Sequence, residues 1–194
     1  IEELEAAGGT LAVMKRLGAL IHRDALTVSG RTWGTEIDVA PEAGAVIRTV
    51  DNPISRKPSV IVMRGNLAPE GSILKVGDAG AKQSLFEGKA LVFTSQEEAL
   101  AALKAGRLVR GTVAVLAGMG CRGGPGMALA SGFVAAVDGA GLSTMVAVIT
   151  DGQLSGLNRG IAIGQVAPEA ALGGPLGLVR DGDAITIDME AHRV

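Results

Sequence analysis

Two glycine-rich loops carry the polar side chains best suited to chemistry in this sequence. They span residues 118–126 and 150–156, and each follows an apolar run that predicts a buried strand. Ligands in α/β folds bind at the ends of such strands, where glycine lets backbone N–H groups approach a carboxylate or a phosphate. Tight turns explain the same glycines equally well. The two loops are therefore candidate ligand-binding segments.

Ser155 is the main candidate for a catalytic side chain. It lies between glycines just after a predicted buried strand, a position that displays a hydroxyl instead of packing it. A serine that only stabilises the loop fits the same pattern. A Ser-His-Asp triad is not favoured, because the two histidines, His22 and His192, are far apart in sequence, and we expect both on the surface.

Three other kinds of side chain in or near these loops have two interpretations each. Asp151 accepts hydrogen bonds from loop amides or ligand hydroxyls, or closes an Asx-type turn with its own backbone, which the local pattern favours. Arg122 and Arg159 pair with a substrate carboxylate or lie in solvent. Cys121 has no neighbouring base in sequence, so we expect a quiet, partly buried cysteine instead of a reactive thiol.

The composition excludes several classes of protein. The chain has 194 residues, 47% of them hydrophobic, and a formal net charge of −2, which is typical of one globular domain. Scattered basic residues and 2% aromatic residues give no basis for phosphate neutralisation or base stacking, so no nucleic-acid partner is expected. No apolar run reaches the roughly 20 residues of a membrane span, and the first residues lack the basic start and apolar block of a signal peptide, so we expect no membrane partner and a cytoplasmic location.

The elements that position these loops follow from apolar spacing and turn residues. Short β-branched runs separated by Gly, Pro, Asn and Asp predict a strand-rich body from about residue 25. Ser95 and Glu98 match a capping box, which predicts reciprocal bonds between the two residues. The predicted helices cover 10–20, 96–105, 127–137 and a short turn at 168–171. The predicted strands cover 59–63, 73–76, 90–93, 112–116, 145–149, 161–164, 176–179 and 185–188.

The chain also contains an ordered set of motifs. They are Arg-Gly-Asn-Leu-Ala-Pro-Glu-Gly at 64–71, Gly-Gly-Pro-Gly-Met at 123–127, Thr-Asp-Gly-Gln-Leu-Ser-Gly at 150–156 and Val-Ala-Pro-Glu-Ala-Ala-Leu-Gly-Gly-Pro at 166–175. Shorter matches lie at 51–54, 86–88 and 181–188. Together they resemble the dihydroxy-acid, phosphogluconate and aldonate dehydratase family over essentially the whole chain.

The resemblance implies an α/β, strand-rich fold, namely a swivelling β/β/α domain with a barrel-like mixed sheet flanked by helices. Residues 1–22 are then a leading helix or linker from an N-terminal domain that this chain lacks, and residues 23–194 are the swivelling C-terminal domain. The sequence begins without Met and opens into Glu-rich, helix-like residues, as a fragment of a longer protein would.

The family removes water from a 2,3-dihydroxy acid or sugar acid and yields a 2-keto acid. In it, a serine alkoxide takes the C2 proton, the iron of a cluster accepts the C3 hydroxyl, and the resulting enol tautomerises. Ser155 matches the family serine. The residues expected to bind substrate are Gly124, Gly126, Asp151, Gly152 and Gly156. The expected partners are a small hydroxy-acid substrate, the N-terminal domain of the same protein, and further subunits of a homodimer or tetramer.

The cofactors implied by the resemblance are an iron–sulfur cluster and Mg²⁺. In the family, the N-terminal domain supplies the cluster cysteines and most magnesium ligands. A single cysteine, Cys121, excludes a protein-held cluster in this chain. The fragment alone is therefore expected to bind neither cofactor and to be inactive.

Two departures from the family pattern leave alternatives open. Leu129 stands where family members commonly carry a metal-binding glutamate, and Met119-Gly120-Cys121 and Gln153-Leu154 replace common family stretches. These departures fit a divergent subgroup with an altered substrate, or a non-catalytic or regulatory relative that keeps the fold. A domain whose main role is subunit association is a third alternative.

Overall fold

The structure is a computed structural model that describes residues 1–56, 59–75, 84–124, 126, 129–155 and 159–194. The chain divides into two compact units, Ile1–Lys57 and Pro58–Val194. The predicted boundary at residue 22 refers to the domains of a longer protein and stays a prediction. The described part of the chain contains no helix with the length and apolar character needed to cross a bilayer.

The first unit is helical. Its helices are α1 (Glu2–Ala6), α2 (Gly9–Leu17) and α3 (Trp33–Asp38), and a 3₁₀ turn over Gly18–Leu20 extends α2. The predicted leading helix is confirmed by α2 and this turn. The prediction of a strand-rich body from residue 25 is wrong for this unit, because Thr32 caps α3 by accepting the Thr35 N–H at 3.3 Å.

The second unit is built on a seven-stranded mixed sheet in the order β1-β2-β6-β5-β4-β3-β7. The strands are β1 (Val60–Met63), β2 (Gly71–Lys75), β3 (Leu85–Phe93), β4 (Thr112–Leu116), β5 (Val146–Thr150), β6 (Ile161–Ala167) and β7 (Ala184–Asp188). Neighbours among β3, β4, β5 and β6 pair in parallel, whereas β1, β2 and β7 join antiparallel. The sheet curls into a half-barrel with flanking helices, which confirms the predicted α/β, strand-rich class.

Uninterrupted apolar runs explain why the central strands are buried on both faces. Every residue of β4 and β5 is buried. Val113, Val115 and Ile149 contribute to one core cluster, and Ala114 and Val148 to the other. Because successive side chains of a strand point to opposite faces, one run of Val, Ile, Leu and Ala fills both clusters.

Two helices, α4 (Gln96–Lys104) and α5 (Leu129–Gly139), belong to the second cluster. Phe93 and Phe133 pack there with ring centroids 6.3 Å apart. Ser95 caps α4 by accepting the Glu98 N–H at 3.2 Å, as the capping box predicts. The return bond differs from the prediction, because Glu98 accepts from the Thr94 N–H and hydroxyl, both at 3.0 Å.

Several predicted elements need correction, in type or in boundary. The strand expected at 176–179 is a 3₁₀ turn over Pro175–Leu178, which Pro175 starts with its fixed φ. The strand expected at 90–93 begins earlier, at Leu85, since its first half pairs with β7. The helix expected at 127–137 is α5, which starts at Leu129, and the first predicted residues lie outside the described residues.

Candidate active site

The loops that follow β4, β5 and β6 meet at one edge of the sheet. These strands are parallel, so their carboxyl ends lie side by side. The loops therefore come together although 118–124 and 168–170 are far apart in sequence. This edge is where α/β sheets bind ligands, and the described candidates of the two glycine-rich loops lie here.

Asp151 joins three of these segments. It is 4% exposed, and its carboxylate accepts backbone N–H groups from Met119 at 2.7 Å, Ala170 at 2.9 Å and Gly118 at 3.0 Å. A buried carboxylate is stable when such donors satisfy its oxygens. Asp151 thus fixes the loop after β4 and the turn after β6 to the end of β5.

The expected Asx-type turn at Asp151 is wrong. Such a turn needs the N–H of Gln153, which instead donates to the Gly126 carbonyl at 3.2 Å. Thr150 provides the local side-chain bond, because its hydroxyl accepts the Gly152 N–H at 3.0 Å. The predicted contact of Asp151 with substrate stays a prediction, while its two oxygens hold three loop amides.

The described glycines predicted to bind substrate are required by close packing within the loop after β4 and between this loop and the loop after β5. A Cβ on Gly124 would lie 2.3 Å from the Gly118 carbonyl oxygen, and one on Gly152 would lie 2.9 Å from Met119. Gly126 has a φ of +73° and leaves no room beside Cys121. Their N–H groups donate within the protein, to Gly120 O, Thr150 Oγ1 and Met119 O. Gly156, the fifth predicted substrate contact, lies outside the described residues.

Glu169 is a residue of this edge that sequence reasoning did not single out. Its carboxylate accepts the Arg122 N–H at 2.8 Å and lies against the Cα of Gly120, where any Cβ would collide with it. The sequence did contain a signal for Glu169, because this residue belongs to the motif at 166–175. Its role was not predictable, because its partner is 47 positions away.

Ser155 lies on this edge and is half-buried. Its backbone N–H donates to the hydroxyl oxygen of Ser131 on α5 at 2.7 Å. The placement at the loop side of the sheet agrees with the geometry that a catalytic role needs. The role of Ser155 as a base stays a prediction.

The remaining candidate side chains are all exposed to solvent. Cys121 is exposed, so the expectation of a partly buried cysteine is wrong. It lies on a loop whose surrounding glycines provide little cover. Arg122 and Arg159 are exposed as well, which leaves their guanidinium groups accessible to an anion. His22 and His192 are exposed, as expected.

Sequence comparisons give close relatives. A sequence model described as dihydroxy-acid/6-phosphogluconate dehydratase C-terminal matches residues 45–194. A dihydroxy-acid dehydratase of Aquifex aeolicus is 44% identical over 100% of this chain and 36% of its own length. Those of Lachnospira eligens and Pyrococcus furiosus are 48% and 45% identical over 97% and 100% of the chain, respectively, and 34% and 36% of their own lengths. The chain therefore spans about a third of the length of these curated relatives.

Proposed function

This chain belongs to the dihydroxy-acid/6-phosphogluconate dehydratase family, as a C-terminal domain, and we propose that it supplies the proton-abstracting serine of a hydro-lyase. The substrate is a 2,3-dihydroxy acid or a sugar acid, and the product is a 2-keto acid. The full-length protein is this chain together with the N-terminal region that its relatives carry. One observation supports the proposal most: Ser155 is half-buried on the edge formed by the glycine-rich loops.

The reaction requires a base at C2 of the substrate. The Ser155 oxygen takes the C2 proton, and the electron pair of the C–H bond forms the C2=C3 double bond. The C3 hydroxyl leaves as water with the proton that Ser155 has taken up, which regenerates the alkoxide, and the resulting enol tautomerises to the 2-keto acid. A serine oxygen acts in this way only as an alkoxide, so positive charge from another part of the full-length protein must stabilise it.

Arg122 is an exposed cation of this edge, and we assign it to the substrate carboxylate. It lies on the loop after β4, whereas Arg159 precedes β6 next to Gly160, which packs against Ser143 at the opposite edge of the sheet. A guanidinium group binds a carboxylate through two parallel hydrogen bonds, which fixes orientation as well as charge. The neighbouring carboxylates of Asp151 and Glu169 already accept loop amides, so they shape the loops and do not compete for Arg122.

An iron–sulfur cluster and Mg²⁺ are proposed for the full-length protein and not for this chain alone. Within the described residues, no group of three or more His, Cys, Asp or Glu side chains could hold a metal ion. Both Asp151 oxygens accept backbone amides, and the sequence has one cysteine. These residues do not fit a resident cluster or magnesium site, so we assign the ligands mainly to the N-terminal region.

The first unit offers a surface for that N-terminal region. Large apolar side chains of residues 1–57 lie exposed, among them Leu20, Leu26, Val28, Val39 and Ile54. Burial of such side chains against a partner is favourable by about 25 cal/mol per Å². We propose that this unit packs against the N-terminal region and that the full-length protein forms a homodimer or tetramer.

A second candidate function rests on Leu129. This residue begins α5, and family members resembling this chain commonly carry a metal-binding glutamate there. A non-catalytic or regulatory relative would keep the fold and bind a hydroxy acid without converting it. Magnesium-dependent formation of a 2-keto acid by the full-length protein would exclude this candidate.

The test of the main proposal is turnover by the full-length protein. We expect Ser155→Ala to lower kcat by about 10³-fold, the size of a lost general base. Ser143→Ala is the matched control, because Ser143 is also half-buried but precedes β5, at the opposite edge of the sheet. The control should keep wild-type turnover. A Ser155→Ala enzyme within about tenfold of wild type would overturn the proposal.

A further inference from the structure

We propose that Ser131 is a positioning residue for Ser155, an inference that rests on the proposed function. The Ser131 hydroxyl oxygen accepts the backbone N–H of Ser155 at 2.7 Å, across 24 positions of sequence. This bond joins the helix after the first glycine-rich loop to the residue that carries the proposed base. Its length is at the short end of the range for N–H···O bonds.

The helix provides a fixed support for this bond. Ser131 is the third residue of α5, and its neighbours Ala130, Phe133 and Val134 are at most 2% exposed in the core. Ser131 is itself half-buried, so little water competes for its oxygen. A hydroxyl on a helix packed in this way holds a loop amide more rigidly than another loop residue would.

The bond acts on the direction of the Ser155 side chain. Anchoring a backbone N–H restricts the φ angle of its residue and hence the direction of its Cα–Cβ bond. The other side of the loop is held by Gln153, which donates to Gly126, and by Asp151. With the Ser131 bond in place, the loop is fixed on both sides of Leu154, and the Cα–Cβ bond of Ser155 keeps one direction.

A role in positioning predicts a specific pattern of kinetic effects. Loss of the bond should leave substrate binding intact, because the uncharged side chain of Ser131 makes no ion pair with the substrate. It should slow the proton transfer, since misplacement of a reacting group by a fraction of an ångström weakens catalysis. Ser131→Ala should not harm the helix, because Ala is a better helix former than Ser.

The experiment compares Ser131→Thr with Ser131→Val in the full-length protein, using a 2,3-dihydroxy acid as substrate. These side chains have nearly the same shape, and only Thr keeps the hydroxyl acceptor. We expect Ser131→Val and Ser131→Ala to lower kcat about tenfold with KM within about twofold of wild type. Ser131→Thr should restore most of the rate, and the melting temperature of Ser131→Ala should not fall.

Equal kcat values for the Thr and Val variants, or wild-type kcat for Ser131→Ala, would overturn the proposal. Ser155→Ala, measured in parallel, separates this result from a failure of the proposed function. If Ser155→Ala is inactive while Ser131→Thr and Ser131→Val have equal kcat values, only the proposed role of Ser131 is wrong. If Ser155→Ala keeps its activity, the proposed function and the role of Ser131 are both wrong.

Discussion

Asp151 shows how one side chain organises the candidate site. Its carboxylate is buried and accepts N–H groups from two segments that the sequence separates by about fifty residues. A carboxylate at this position replaces the water that would otherwise solvate these amides. The loops therefore keep their relative positions without substrate, and the site is already shaped when a ligand arrives.

We expect Asp151→Asn to destabilise the fold by about 3 kcal/mol, because an amide has one acceptor oxygen and its NH₂ group faces a backbone donor. The melting temperature of the purified protein measures this change. Asp138→Asn, at a half-buried position of α5, is the control and should have little effect. If the two variants melt at the same temperature, Asp151 does not hold the loops together.

At the scale of elements, the site depends on close contact between the loops after β4 and β5. The contact is possible because Gly152 has no side chain and lies against Met119. Within the loop after β4, Gly124 lies against the carbonyl of Gly118. The glycines that suggested substrate binding in the sequence therefore serve the packing of the loops as well.

The tight packing within the loop after β4 makes a prediction for Gly124→Ala. Its new Cβ would lie 2.3 Å from the Gly118 carbonyl oxygen of the same loop, so this loop must change its shape. We expect a loss of about 1–3 kcal/mol in stability, typical of overpacking, together with lower turnover. Gly139→Ala is the control, since a Cβ there meets nothing within 4 Å. A Gly124→Ala protein as stable and active as the control would contradict the packing argument.

The start of α4 makes a prediction about pH. Hydrogen bonds from the Thr94 backbone N–H, and then from its hydroxyl, lower the pKa of Glu98 below its ordinary value of 4.5. The pKa is lower in the folded than in the unfolded chain, so the ionised carboxylate stabilises the fold above that value. This stabilisation is lost as the pH falls through the folded pKa.

Glu98→Gln should therefore lower the melting temperature at about pH 7, with a difference from wild type that shrinks at acidic pH. Glu97→Gln, at the exposed neighbouring position, is the control and should show no such pH-dependent difference. A Glu98→Gln effect that stays constant from neutral to acidic pH would show that the Glu98 charge does not support the start of α4.

At the scale of the whole molecule, the strands and the family were predictable, and the contacts across the site were not. Uninterrupted apolar runs identify β4 and β5, and Ser95 identifies the start of α4, because these signals are local. The bonds of Asp151, Glu169 and Ser131 join residues that are 19 to 47 positions apart, and only the fold brings these together.

Local patterns were also insufficient where short elements compete. Residues 33–38 lie among β-branched runs, yet the cap at Thr32 makes them a helix. The Leu176 segment has the apolar composition of a strand, but Pro175 and the glycines around it favour a 3₁₀ turn. In both cases a capping or turn residue decides the structure over the apolar composition.

The assignment of cofactors to the N-terminal region predicts the behaviour of the isolated chain. With a single cysteine, it should not assemble an iron–sulfur cluster when incubated with iron and sulfide without oxygen. The visible absorbance of the repurified chain measures this. The full-length protein, treated identically, is the positive control. Stoichiometric cluster absorbance in the isolated chain would contradict the assignment of the cluster ligands to the N-terminal region.

The most direct test of the account follows the hydrogen that Ser155 is proposed to remove. The full-length enzyme and its Ser155→Ala variant are given a 2,3-dihydroxy acid deuterated at C2, and release of deuterium to water is measured in a single turnover. If Ser155 is the base, we expect the variant to bind the substrate with nearly wild-type affinity and to release no deuterium. Release at the wild-type rate would show that another group takes the proton.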